Sequence, residues 1–152
     1  IGDLHKKIIA FPSPNALAAS LLMRADLTRL HGLTFFPRYV QTHSSVYLNV
    51  ALGQAEAGGG VLSTLLAQPT EVRERLRVLY KTREMVPHPL TAHPRVSLTD
   101  RELVKRAWLD LAETVEGKVM LSKIPMIESV PVDMPAYDSM SSWGLDEFFV
   151  SD

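Results

Sequence analysis

The run Lys7-Ile8-Ile9-Ala10-Phe11-Pro12-Ser13-Pro14-Asn15-Ala16 decides how this chain folds. Its first five residues read as a short buried strand, apolar from Ile8 to Phe11. Ser13 offers a hydroxyl as helix N-cap, and Pro14 suits the first helical position, where a missing N–H is harmless. A strand that runs straight into a helix start leaves unbonded backbone N–H groups at the strand's C-terminal end, a natural receptor for an oxyanion. The layout recurs at Thr42-His43-Ser44-Ser45 and at Gly58-Gly59-Gly60. The three junctions are expected to meet on one edge of a sheet. There they would hold an anion or small polar ligand through amides and helix dipoles, with no lysine or arginine nearby.

Outward from that run, strand-like and helix-like patterns alternate as far as residue 86. A helix is expected from Asn15 to about Leu30, with Ala18, Leu21, Leu22 and Ala25 on one face and His31-Gly32 as its stop. Thr34–Val40 reads as a second strand, placed at an edge or bulge by Pro37. A second helix begins near His43, turns Tyr47, Val50 and Ala51 inward and ends at Gly53. Glu56–Gly58 reads as a short third strand, Val61–Ala67 as a helical turn, Arg73–Arg75 as exposed, and Leu76–Tyr80 as a last strand. This alternation predicts a mostly parallel sheet with helices on its faces and ligands outside the strand C-terminal ends.

The character then changes. Val86-Pro87-His88-Pro89-Leu90 and His93-Pro94 cannot lie inside a helix and read as an extended crossover. Thr99-Asp100-Arg101-Glu102 matches a capping box and opens a helix to about Glu116, ended by Gly117. Its apolar stripe is Leu103, Ala107, Leu111 and Val115, and Lys118–Lys123 reads as a further short helix. The tail is expected to pack through Trp143, Phe148 and Phe149.

The 152 residues suffice for one or two modest cores, and 46% hydrophobic with 22% charged residues is ordinary globular composition. A formal net charge of −1 supplies no basic field for nucleic acid or anionic lipid, so no nucleic-acid partner is expected. The absence of cysteine removes disulfides, thiolate catalysis and cysteine metal sites. No apolar run approaches the roughly 18 residues that cross a bilayer. The chain opens on Ile1-Gly2-Asp3 without an initiator methionine and reads as a processed or trimmed piece.

Each candidate for chemistry has a plain alternative. Thr42, His43, Ser44 and Ser45 could grip an oxyanion, or could be a helix start with ordinary caps. Gly58-Gly59-Gly60 allows close backbone approach to a ligand, or is simply a loop, and it matches neither G-x-G-x-x-G nor a Walker A. No G-x-S-x-G nucleophile elbow occurs, and no acid/base pair is recognisably placed, so no catalytic residue and no cofactor is assigned. His88 and His93 lack a third ligand at a metal-binding spacing, and Trp108 reads as core.

Asp3-Leu4-His5-Lys6-Lys7-Ile8-Ile9-Ala10-Phe11 resembles the "DLxGKxIAF" opening of the second lobe in phosphate/phosphite/phosphonate-type solute-binding proteins of ABC transporters. Tyr39-Val40-Gln41-Thr42-His43-Ser44-Ser45-Val46-Tyr47 is similar to their "YVxSHxSVY". Ala55–Val61 and the crossover Pro87–Val96 follow in family order, and "FPAPxAFAAS" and "AGGGV" motifs point to a subgroup. The resemblance implies an α/β, type II periplasmic-binding-protein-like fold, with a three-layer α/β/α lobe built on a mostly parallel sheet, plus part of a second lobe. Residues 1–86 would be lobe two, 87–95 the hinge or crossover, and 96–152 the C-terminal part of lobe one, whose N-terminal part is expected to be missing. A ligand-contacting histidine of the family corresponds to His43, while the Ser-Thr-Ser run of phosphonate binders corresponds to Ala16, Leu17 and Ala18.

The ligand set so implied is Ser13, Asn15, Ala16, Leu17, Ala18, Thr42, His43, Ser44, Ser45, Gly58, Gly59 and Gly60. Hydroxyls lost at three positions, each worth about 1–3 kcal/mol, count against tight phosphonate binding, and with the opposite wall of the cleft missing this piece is expected to bind weakly or not at all. Tight phosphate or phosphonate binding in calorimetry would overturn that. The resemblance further implies an extracytoplasmic location, a small phosphate- or phosphonate-like oxyanion as ligand and an ABC permease as partner. A ligand-sensing input domain of a membrane-bound signalling protein and the effector domain of a LysR-type regulator are the alternatives.

Overall fold

The computed structural model describes residues 1–124 and 129–151. The chain forms two compact units, Ile1–Glu84 with Trp143–Asp152, and Met85–Ser142.

The first unit is organised by three parallel strands in the order β2-β1-β3, with β1 at Ile8–Phe11, β2 at Phe36–Tyr39 and β3 at Ala57–Gly58. The register sets Phe11 opposite Tyr39 and Ala10 opposite Gly58. β1 takes the centre because its apolar run satisfies both faces at once. Ile9 and Phe11 point into a cluster with Leu27 and Leu33, while Ala10 joins Val46 and Ala55 on the opposite face. One face is covered by a π-helical turn, Leu17–Leu22, that continues as α1, Met23–Arg29; the other is covered by α2, His43–Ala51. The expected three-layer α/β/α lobe is therefore present.

Pro37 sits in β2 at the sheet edge, as its missing donor demands. Phe36 and Val40 donate to the Lys7 and Phe11 carbonyls, so the odd position between them faces away from β1. Gly32, at φ +62°, closes α1 by donating to Thr28. α2 buries Val46 and Tyr47 and hands over to Gly53 at φ +71°. α3, Leu62–Leu66, and α4, Thr70–Arg73, follow, and short 3-10 turns lie at Gly2–Leu4 and Leu145–Phe148.

Three expectations for this unit fail. Ser13 is no cap: the helix opens at Ala16, whose side chain makes no capping bond. Its first turn is π-helical, with the Ala16 carbonyl accepting from both Ser20 and Leu21 at 2.9 and 3.0 Å. Leu76–Tyr80 is no strand. β3 is only two residues long and offers little edge for a fourth strand, so the segment is tied by side chains instead. Tyr80 Oη donates to Asp26 Oδ2 at 2.9 Å and its ring meets His31 edge-on at 5.0 Å. Of the tail aromatics, Trp143 and Phe148 are half-buried beneath Arg83 and Arg29, while Phe149 stays 59% exposed.

The second unit contains α5, Leu98–Glu113, α6, Val115–Leu121, and α7, Pro135–Ser141. The cap of α5 is Ser97, which accepts from Asp100 N–H, and not Thr99. Thr114 breaks the expected long helix, donating to the Leu111 carbonyl and accepting from Gly117 N–H, so Gly117 lies inside α6 rather than after α5. The expected stripe of α5 is not buried: Leu103 is 66% exposed, and Val115, which opens α6, 76%. Among the described residues of this unit there is no sheet like the one that covers the apolar faces of α1 and α2. The proline-rich segment forms neither helix nor strand and ends in a turn at Pro94–Arg95, and a groove of about 570 Å³ runs between it, α5 and Ser129–Val132. Trp108, half-buried, lines that groove and donates to Ser129 Oγ at 2.9 Å. No helix among the described residues is long and apolar enough to cross a membrane.

Candidate functional site

Because all three strands run parallel, their C-terminal ends and the turns that follow share one sheet edge. The first turn leads from Phe11 to Ala16, the second from Tyr39 to Thr42, and the third from Gly58 to Val61. The three junctions read from the sequence are thus brought to a common place.

Contacts between them are close. The N–H of Gly59 donates to the Ala10 carbonyl at 2.8 Å. A Cβ on Gly59 would stand 2.1 Å from the Ala19 carbonyl oxygen and 2.7 Å from the Phe11 ring, so the third turn is wedged against the first. A Cβ on Gly60 would stand 2.3 Å from Tyr47 Oη, which donates to the Val61 carbonyl at 2.6 Å. Glycine is required at both positions by space alone. Burial pushes the Tyr47 phenol above its ordinary value, so it remains a donor at neutral pH.

The helix starts supply unbonded amides. In the π-helical turn the first bonded donor is Ser20, leaving the N–H groups of Leu17, Ala18 and Ala19 ahead of it. In α2 the Thr42 hydroxyl caps Ser45 N–H at 3.0 Å, leaving those of His43 and Ser44. Several expected side chains are already occupied. Thr42 Oγ1 and Ser45 Oγ share a 2.8 Å hydrogen bond, Ser44 Oγ accepts from Gln68 Nε2 at 3.1 Å, and both polar atoms of Asn15 pair with Val150. Ser13 carries no capping role, and Ala16, Leu17 and Ala18 have only their backbones to offer.

His43 differs from these. Its Nδ1 is buried without a hydrogen-bond partner, and burial holds the imidazole below its ordinary value near 6.5. The ring is neutral at neutral pH, one nitrogen a donor and the other an acceptor. An unfolded chain would take up this proton at higher pH than the folded one. Stability is therefore expected to fall as pH drops below about 6.5, through the lowered folded value. His43→Gln should flatten that slope in urea midpoints measured across the window.

Two residues on the inner face of the first helix were not anticipated. Ser20 is 0% exposed with an unpartnered hydroxyl, and Arg24, 8% exposed, donates from Nη2 to the Pro14 carbonyl at 2.7 Å. The expectation that no arginine lies near the junctions is overturned by Arg24, which also sits 6.0 Å from the Tyr39 ring centroid. The signal was legible: a charged pair, Arg24 and Asp26, inside an otherwise apolar helix is buried only when partnered. Among the described residues, no group of three or more histidine, aspartate or glutamate side chains could hold a metal ion.

The arrangement is one of amides, helix starts and a neutral imidazole, suited to holding an anion. A family model described as "ABC transporter, phosphonate, periplasmic substrate-binding protein" matches residues 1–137. The chain belongs to this family. Among curated proteins, a sequence comparison finds no match. The family is one of transport proteins, not of enzymes, and works outside the cytoplasm. Its members bind a small solute and deliver it to a membrane permease, so the chain is a solute-binding protein of an ABC transporter. The sensor and regulator alternatives gain nothing from the match.

Proposed function

We propose that the sheet edge of the first unit binds a small phosphate- or phosphonate-type oxyanion for delivery to the permease. The contacts are the amides of Leu17–Ala19 and His43–Ser44, the His43 ring and the Gly58–Gly60 backbone. The observation that carries this reading is His43 Nδ1, buried and unpartnered at the one edge where three strand-to-turn junctions meet. A buried polar atom without a partner is costly, and a ligand oxygen would satisfy it. In this reading the first unit is the family's ligand-binding lobe two, residues 87–95 are the crossover, and the second unit contributes to lobe one.

The hydroxyls replaced at Ala16, Leu17 and Ala18 favour a ligand gripped by backbone rather than by side-chain donors. Calorimetric titration with phosphate, phosphite and methylphosphonate tests the reading. Weak but measurable binding of at least one is expected, and His43→Ala should weaken it about tenfold further, the worth of one hydrogen bond to a charged group. No binding of any of the three, or binding indifferent to His43→Ala, would sink it.

A further inference from the structure

The first turn of this edge is fastened from far away in sequence. Asn15 Nδ2 donates to the Val150 carbonyl at 2.8 Å, and Val150 N–H donates back to Asn15 Oδ1 at 3.0 Å, across 135 positions. One side-chain amide thus pairs with both backbone groups of a single residue, as a neighbouring strand would. Arg24 adds a second tie, its Nη2 donating both to the Pro14 carbonyl and to that of Phe148. Arg29 holds the same segment further on. It donates to the Trp143 and Gly144 carbonyls at 2.9 and 2.6 Å, pairs with Glu147 and lies 5.0 Å from the Phe148 ring centroid.

We propose that Trp143–Val150 is a strap that sets the shape of the first ligand-binding turn, with Asn15 and Arg24 as positioning residues rather than ligand contacts. The proposal rests on the ligand edge described above. The turn gains from such support because Ala16 lacks a side-chain cap, so no capping oxygen helps to fix where the Leu17–Ala19 amides aim. Donors held in place before the ligand arrives bind more tightly than donors that must be ordered by it.

Two variants break the latch from opposite sides. Asn15→Leu removes both bonds from the turn. Val150→Pro removes the strap's N–H, and Phe149 at ψ 134° already has the extended backbone that precedes proline. In each, hydrogen exchange should quicken both at residues 13–20 and at 145–150, while exchange across α2 and the unfolding midpoint stay close to wild type. Methylphosphonate affinity should fall about tenfold in each single variant, and the double variant should be no weaker than the worse single.

Unchanged exchange at residues 13–20 in both variants overturns the strap. So does loss of affinity in Asn15→Leu with wild-type affinity in Val150→Pro, which would make Asn15 a ligand contact. If the wild-type protein binds no methylphosphonate, the ligand reading is what fails. Exchange still decides the strap: coupled quickening of both segments supports it, and independent behaviour refutes it.

Discussion

Gly59→Ala is expected to damage the fold and the ligand edge together. The added methyl would stand 2.1 Å from a backbone oxygen, that of Ala19, and within 3 Å of the Phe11 ring. Neither neighbour yields cheaply. The carbonyl belongs to the π-helical turn and the ring is fully buried. Relief must come from moving the third turn away from the first, at about 1–3 kcal/mol by the usual toll of overpacking. That same movement separates the two turns that carry candidate donors, so methylphosphonate affinity should fall further than stability alone explains. Gly2→Ala is the control, since a methyl there meets nothing within 4 Å and should leave the urea midpoint unchanged. A Gly59→Ala protein with wild-type midpoint and affinity would show that the turns are not packed as described.

Phe11→Ala is expected to have the largest effect on stability. Phe11 is the last residue of β1 and 0% exposed, packed in the cluster with Ile9, Leu27 and Leu33. Its ring also lies 6.1 Å from Phe35 and 6.4 Å from Tyr39. Truncation removes the transfer free energy of the ring and leaves a cavity that short strands on either side cannot close, a loss of about 3–5 kcal/mol. For a unit of this size that is a large part of the usual 5–15 kcal/mol margin, so urea unfolding should begin far earlier. Phe11→Leu, which keeps most of the volume, should lose much less. Equal losses for the two variants would mean that the ring is not the packed centre of this face.

Much of this was readable in the residues, for reasons that differ from one stretch to the next. Ile8–Phe11 could hardly be anything but a central strand, since an apolar run of that length has no polar face to offer water. Pro37 announced an edge or a bulge, because a missing donor is tolerated only where nothing needs it, and the structure shows the edge. Thr42 was a cap by its chemistry, and its hydroxyl does cap Ser45. The helix starts were less secure. Ser13 and Thr99 had the side chains of caps, yet the helices open at Ala16 and Ser97, because capping depends on a local backbone angle that side-chain identity does not dictate. Leu76–Tyr80 had the composition of a strand and no edge to pair with. The stripe expected of α5 had the right period, yet among the described residues Leu103 and Val115 stay exposed.

From the order of the residues came a mostly parallel sheet with helices on its faces, which follows from short-range rules: alternation along a strand, periodicity along a helix, the special backbones of proline and glycine. The family came separately, from the resemblance of particular motifs such as Tyr39–Tyr47. Only the tertiary structure showed that the third turn is fitted against Phe11 and Ala19 through Gly59 and against Tyr47 of α2 through Gly60, that Ser44 and Ser45 are spent on internal bonds, and that Asn15 reaches Val150. Those are contacts between residues far apart in the chain. Which hydroxyl or amide is left free for a ligand depends on what else has already claimed it, and no local pattern records that.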